Sequence, residues 1–281
     1  MTSLPTAYTV LVVDDEPDMF TLTRMALRRM HHRGALVEIV YTPSAAEGLA
    51  YLEAHPDTAV VLLDVVMESE HAGLQACQQI REQHHNQEIR ILLRTGQPGA
   101  APEKQVLTDY DIDGYLAKAE MTHIRLFTAV RTALKAFTEL RWARIEKESL
   151  LQLYQAAMQL QLGQASEAGL QELLEAACSL NQGSLGLVYL QQGDETQLFL
   201  NTSALTEPEL TQTRLDSLLP HLTQGQTPLE GLQIPLQLAQ PELQSWLYLD
   251  GKDSETLTHE LLPWLQLQVT AYLNQGLLGQ S

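Results

Sequence analysis

The first 120 residues keep switching between two hydrophobic periods, and few architectures accommodate that. Short apolar runs appear at residues 9–15 (TVLVVDD), 35–42 (ALVEIVYT), 59–64 (AVVLLD), 89–95 (IRILLRT) and 114–118 (GYLAK). Each is strand-length and rich in Val, Ile and Leu. Between them lie stretches with helical spacing, such as DMFTLTRMALRRM and GLQACQQIREQ. Apolar strands alternating with helices imply a parallel sheet covered on both faces. Five such strands predict an α/β, flavodoxin-like doubly wound domain over residues 1–122.

From Thr122 the spacing becomes that of a long helix. Ile124, Phe127, Val130, Leu134 and Phe137 recur at three and four, and a looser pattern runs through Ile145, Leu150, Leu153, Ala157 and Leu160, ending before Gly163. The stretch 123–163 reads either as one connecting helix, a candidate dimer coiled coil, or as two helices broken near Trp142. Residues 164–281 then read helix (166–180), two strands (SLGLVYLQ, TQLFLN), helix (207–222), two strands (PLEGLQIPLQL, SWLYLD) and a closing helix (255–275). That order predicts a separate α+β domain.

Charge narrows the function. The net charge is −18. Residues 1–147 carry 15 Lys and Arg against 20 Asp and Glu, whereas residues 148–281 carry only Arg214 and Lys252 against 15 acids. A surface this acidic is a poor match for a phosphate backbone, so no nucleic-acid partner is expected. No apolar run approaches the roughly 18 residues of a membrane span. The N-terminus lacks the basic start and apolar core of a secretory signal, so a cytoplasmic protein without a membrane partner is expected. Cys77 and Cys178 lie inside helical patterns and read as free, buried thiols.

The polar residues at the strand ends carry the chemistry. Asp14 and Asp15 follow the first strand, Asp64 ends the third, Thr95 the fourth and Lys118 the fifth. In a doubly wound sheet the carboxyl ends of the strands share one edge, where sites form. Clustered carboxylates there call for a hard cation, and Mg²⁺ takes oxygen ligands. Asp15, Asp64 and the Val66 backbone carbonyl are candidate direct ligands, with Asp14 holding a metal-bound water. Asp64 is then the candidate nucleophile for a phosphoryl group, with Lys118 pairing one phosphoryl oxygen and Thr95 donating to another.

LVVDDEP, LLD followed by Met67, Thr95 after a strand, and GYLAK together resemble the response-regulator receiver family over residues 8 to about 135. The resemblance implies phosphorylation of Asp64 by a histidine kinase or phosphotransfer protein, with Mg²⁺, and a switch through Thr95 and Tyr115. Three departures stand out. Ala119 replaces the proline that usually follows the lysine; a cis bond there would cost about 3–4 kcal/mol, so a trans bond is expected. The loop after Asp64 (VVMESEHAG) lacks the usual proline and is one residue longer, and Thr95 leads into GQPGAAPE. LLDVVM, LRTGQPG and DYDIDGY look like a proteobacterial subtype. Val66 cannot orient a hydrolytic water, whereas Gln97 could; a phosphoryl state lasting minutes or longer is expected.

The element order of residues 164–281 is similar to a GAF-like domain. No cysteine is placed for a bilin and no paired histidines for haem. Trp246 and Trp264 read as core. Neither His31–His32 nor His84–His85, placed near helix ends, reads as a metal site, because neighbouring helical residues diverge. Residues 205–210 read as a helix start. Two functions follow: a regulator that relays phosphorylation of Asp64 to a C-terminal interaction or dimerisation domain and an unknown downstream protein, as a homodimer; or a small-molecule sensor whose GAF-like domain the receiver modulates. His221 and His259 are isolated and the sequence stops at residue 281, so an enzyme is not expected.

Overall fold

A computed structural model describes residues 7–96, 110–161, 167–181, 183, 185–192, 195–203, 217–218, 220–222, 231–239, 244–251 and 261–278. The first five apolar runs form strands β1 (Tyr8–Val13), β3 (Ala35–Thr42), β4 (Val60–Asp64), β5 (Arg90–Thr95) and β6 (Gly114–Ala117). All pair in parallel, in the order β3-β1-β4-β5-β6. The doubly wound parallel sheet read from the sequence is therefore present. The sheet also gains a strand that period alone did not reveal. His31–His32 form β2, antiparallel to the start of β3, so this histidine pair sits on a strand and not near a helix end. Arg33 (φ 49°) and Gly34 (φ 86°) turn the chain between the two.

Alternation sends successive strand side chains to opposite faces. On one face Val10, Val12, Val60, Leu62 and Leu92 pack with helix α1 (Pro17–Ala26) and with Leu126, Val130, Leu134 and Phe137 of helix α4 (His123–Gln161). On the other, Leu11, Val13, Val61, Leu63, Ile91 and Leu93 pack with α2 (Ala45–Ala54) and α3 (Ala72–Gln78). Proline at its first position starts α1. Ser44 caps the start of α2, its hydroxyl accepting from the Glu47 amide at 3.2 Å. Full burial of a side chain such as Phe137 is worth about 1.5–3 kcal/mol. Cys77 lies fully buried on the second face, its thiol pKa pushed up to about 12 by burial.

His32 ties β2 to α4. The Thr138 hydroxyl donates to the Leu134 carbonyl at 2.8 Å, so His32 Nε2–H is the donor in its own 2.8 Å bond to Thr138. Burial, then the charges of Arg33 and Arg131, hold the His32 pKa below its ordinary 6.5. The unfolded chain thus takes up this proton first, and stability is lost as pH falls through 6.5. His32→Gln is expected to flatten the decline of Tm between about pH 7 and pH 5. A decline of unchanged steepness in the variant rejects this.

Helix α4 is a single element of 39 residues, unbroken at Trp142. The chain divides into compact units at this point, Leu4–Trp142 and Ala143–Ser281. The second is α+β: α5 (Glu167–Leu180), strands β7 (Leu185–Gln192), β8 (Glu195–Ser203), β9 (Gly231–Leu236) and β10 (Gln244–Asp250), and α6 (Leu262–Leu278). Its strands form an antiparallel sheet, β8-β7-β10-β9. One face packs on α5, α6 and Leu153 and Ala156 of α4; the other carries Leu185, Leu187, Tyr189 and Tyr248. Trp264 packs on the first cluster and Trp246 on the second. Cys178 is a buried free thiol. Residues 205–210 lie outside the described residues.

Candidate functional site

Strand register builds the site. Asp64, last in β4, lies opposite Arg94 of β5, and Val13 of β1 lies opposite Leu63. Asp14, one residue on, therefore stands beside Asp64. By alternation, Asp14, Asp64 and Arg94 form one row at the carboxyl edge, above the row of Val12, Leu62 and Leu92. Asp14, Asp64 and Arg94 are 0, 3 and 0% exposed.

Lys118 follows β6 and opens a short 3₁₀ turn to Glu120. Its Nζ lies 2.8 Å from Asp64 Oδ2, 2.9 Å from Glu16 Oε1 and 3.4 Å from Asp14 Oδ2. No peptide bond among the described residues is cis, so Lys118 reaches the pocket without one before Ala119. The Val65 amide donates to Asp64 Oδ1 at 2.9 Å, and the Glu16 amide to Asp14 Oδ1 at 3.0 Å.

Two pKa directions describe the charge balance. Burial works against the Lys118 ammonium, but hydrogen bonds to Asp64 and Glu16 push its pKa up to about 12. Burial, aided by the charge of Asp14, pushes the Asp64 carboxyl up, and Lys118 only partly offsets this. One partner gains from ionisation while the other is penalised for it. The directions are compatible, because Lys118 serves three carboxylates and Asp64 is the more buried partner. The pocket holds more negative charge than its two cations neutralise. Carboxylate oxygens of Asp14, Asp15, Glu16 and Asp64 lie within 4.8 Å of one another. Surplus negative charge on closely spaced oxygens fits a divalent cation.

The other expected residues divide between this pocket and places away from it. Asp15 is exposed at its mouth. Thr95, 3% exposed, ends β5 opposite Ala117. Tyr115 lies half-buried on the opposite sheet face, against the cluster containing Leu63 and Leu93. Val66 sits in the turn after β4 with its side chain 42% exposed. Gln97 lies outside the described residues.

Two pocket residues escaped the sequence reading. Glu16 continues the DDE run and shares Lys118. Arg94 is the one charge near the end of an apolar strand, and a buried charge needs a partner. Its guanidinium meets Asp14 Oδ2 and the Thr23 hydroxyl, each at 3.0 Å.

Comparison with known proteins accords with this geometry. Residues 10–131 match the family model described as response regulator receiver domain. Over 152 residues the chain is 38% identical to 3'3'-cGAMP-specific phosphodiesterase 2 of Vibrio cholerae. That match covers 54% of this chain but only 29% of the relative. Among solved structures, a receiver domain from Clostridium thermocellum is 21% identical, with 47% of this chain and 98% of that one covered, at a TM-score of 0.40. An adenylate cyclase structure from Rhodopirellula baltica is 19% identical, with 51% and 96% covered, at a TM-score of 0.42. The Vibrio match corrects one expectation. The sequence reading held that the chain is not an enzyme, yet the relative it matches is one. The isolated histidines that prompted that reading cannot exclude catalysis. Among the described residues no helix is long and apolar enough to cross a membrane.

Proposed function

Residues 10–131 are a response regulator receiver domain, and from that premise we propose that Asp64 accepts a phosphoryl group from a histidine kinase or phosphotransfer protein and that its state governs cyclic-dinucleotide hydrolysis. The observation that carries the acceptor assignment is the Lys118–Asp64 contact of 2.8 Å inside the acidic cluster. Asp64, held by the Val65 amide and by Lys118, offers a carboxylate oxygen to the donor phosphorus. As the new O–P bond forms, the donor's P–N bond breaks and its electron pair leaves with the imidazole. Lys118 then pairs with a phosphoryl oxygen, and Thr95, at the end of β5, donates its hydroxyl to another. Asp15, Asp64 and the Val66 carbonyl, with Asp14 behind them, would hold a Mg²⁺ ion, which would neutralise charge on the incoming phosphoryl group. Tyr115 reports the change on the far face of β6.

Support for the output comes from the 38% identity to the Vibrio phosphodiesterase, over a stretch longer than the family model covers. The relay we propose runs through α4 paired with α4 of a second copy. Leu151, Tyr154 and Met158 recur at three and four on that helix and are 52, 64 and 41% exposed. Pairing would bury this stripe. Leu151→Glu with Tyr154→Glu is expected to halve the mass measured by light scattering; an unchanged mass rejects the pairing.

The function itself is tested in two arms. With acetyl phosphate and Mg²⁺, an acid-stable, base-labile phosphoryl group should map to the peptide containing Asp64. In cells, Asp64→Asn at the native locus should alter the 3'3'-cGAMP level. Label on another peptide refutes the acceptor, and equal cGAMP levels refute the coupling.

A further inference from the structure

The run IRILLRT is apolar and buried at Ile91, Leu92 and Leu93 and ends in two buried polar residues, Arg94 and Thr95, of which only Arg94 is charged. Arg94 stands in the row above Leu92, wholly buried, and is among the largest side chains with no exposure. Burying a guanidinium is costly unless it is paired, and it stays charged under any ordinary condition. Among the described residues its hydrogen-bond partners are Asp14 Oδ2 at 3.0 Å and the Thr23 hydroxyl at 3.0 Å, the latter fixed by its own 2.7 Å bond to the Met19 carbonyl. Among the described residues Arg94 Nε has no hydrogen-bond partner. A charge held this way has no packing rationale that Leu or Met would not meet more cheaply. Its position does have an electrostatic one. It lies in register beside Asp64 and against Asp14, two members of the four-carboxylate cluster.

We propose that Arg94 is the resident counter-ion of the acidic pocket: it fixes Asp14 and competes with the divalent cation, setting how tightly that cation is held. The inference rests on the reading of the pocket as a phosphoryl-accepting, cation-dependent site. Lys118 and Arg94 leave four carboxylates with a deficit of two positive charges, which one divalent ion fills. Without Arg94 the deficit is three, and an Asp14 oxygen loses its buried partner. The cation should then bind more tightly, since an added negative charge at close range attracts it. Arg94 is a positioning residue here, because it acts through Asp14.

The test needs no phosphoryl donor. Mn²⁺ is titrated into the full chain and the free-ion signal followed by electron paramagnetic resonance. Arg94→Met is expected to bind about tenfold more tightly than wild type, and Arg94→Lys, which keeps the charge, within about threefold of it. Equal or weaker binding by the Met variant overturns the proposal. Should that variant be unfolded without metal, circular dichroism follows the same titration. Refolding driven by Mn²⁺ supports the proposal, because the ion then replaces the lost charge; no refolding at concentrations that saturate wild type overturns it. Wild type is labelled with acetyl phosphate in parallel. Labelling without an affinity change in the Met variant sinks only this inference, whereas an affinity change without labelling sinks only the acceptor reading.

Discussion

Asp64→Asn is expected to lower phosphoryl uptake by more than about a thousandfold while leaving the fold intact, because the variant removes the proposed nucleophile and little else. The two halves of this expectation have separate causes. An amide oxygen cannot form the acyl phosphate, so no remaining pocket group substitutes at that register position. The fold survives because Asp64 contributes no net stabilisation as a carboxylate: burial and the neighbouring Asp14 both disfavour its charge. Lys118 keeps Glu16 at 2.9 Å and Asp14 at 3.4 Å. Label is counted by scintillation after a fixed incubation, and folding is read from Tm. Residual label above the thousandfold loss would mean a different acceptor, and a fall in Tm would mean that Asp64 is a structural anchor.

Gly73→Ala should do the converse and damage the fold around an intact set of pocket residues. Gly73, second residue of α3, packs against the end of β4, its amide donating to the Val65 carbonyl at 3.1 Å. A Cβ there would lie 1.9 Å from the Asp64 carbonyl oxygen and 2.9 Å from Val65 Cα. The obstacle is backbone, so no rotamer change relieves it. Either α3 retreats or the end of β4 shifts. The expected cost is about 3 kcal/mol or more, with Tm lowered by roughly 10 °C. Phosphoryl uptake should fall with it, since the displaced atoms are those that aim Asp64. A Tm within about 2 °C of wild type would show that α3 is far looser than its packing implies.

How much of this was legible beforehand follows from what period and register can carry. Runs such as AVVLLD announce a buried strand because five of the six residues are apolar, and the strand-end rule then gathers Asp14, Asp64, Thr95 and Lys118 without any coordinates. β2 stayed hidden because two residues have no period, and its pairing depends on the left-handed turn at Arg33 and Gly34. Arg94 and Glu16 stayed hidden for another reason. A charge inside or just after a strand reads as edge or solvent, and only lateral register shows that Arg94 faces Asp14. The receiver family was legible in the residues at the strand ends. The enzymatic relative was not, because isolated histidines say nothing about what a receiver controls.

The seclusion of the Arg94–Asp14 pair bears on how the pocket behaves across environments. Dissolved ions weaken attraction only where they can enter between the charges. Arg125 and Glu120, both largely exposed, form a bridge that salt dissolves. Arg94 and Asp14, each without solvent contact, are beyond its reach. A shift in osmolarity that loosens the surface would therefore leave this part of the pocket's charge unchanged, and the receiver would keep its readiness for the phosphoryl group when the cell's ionic composition swings.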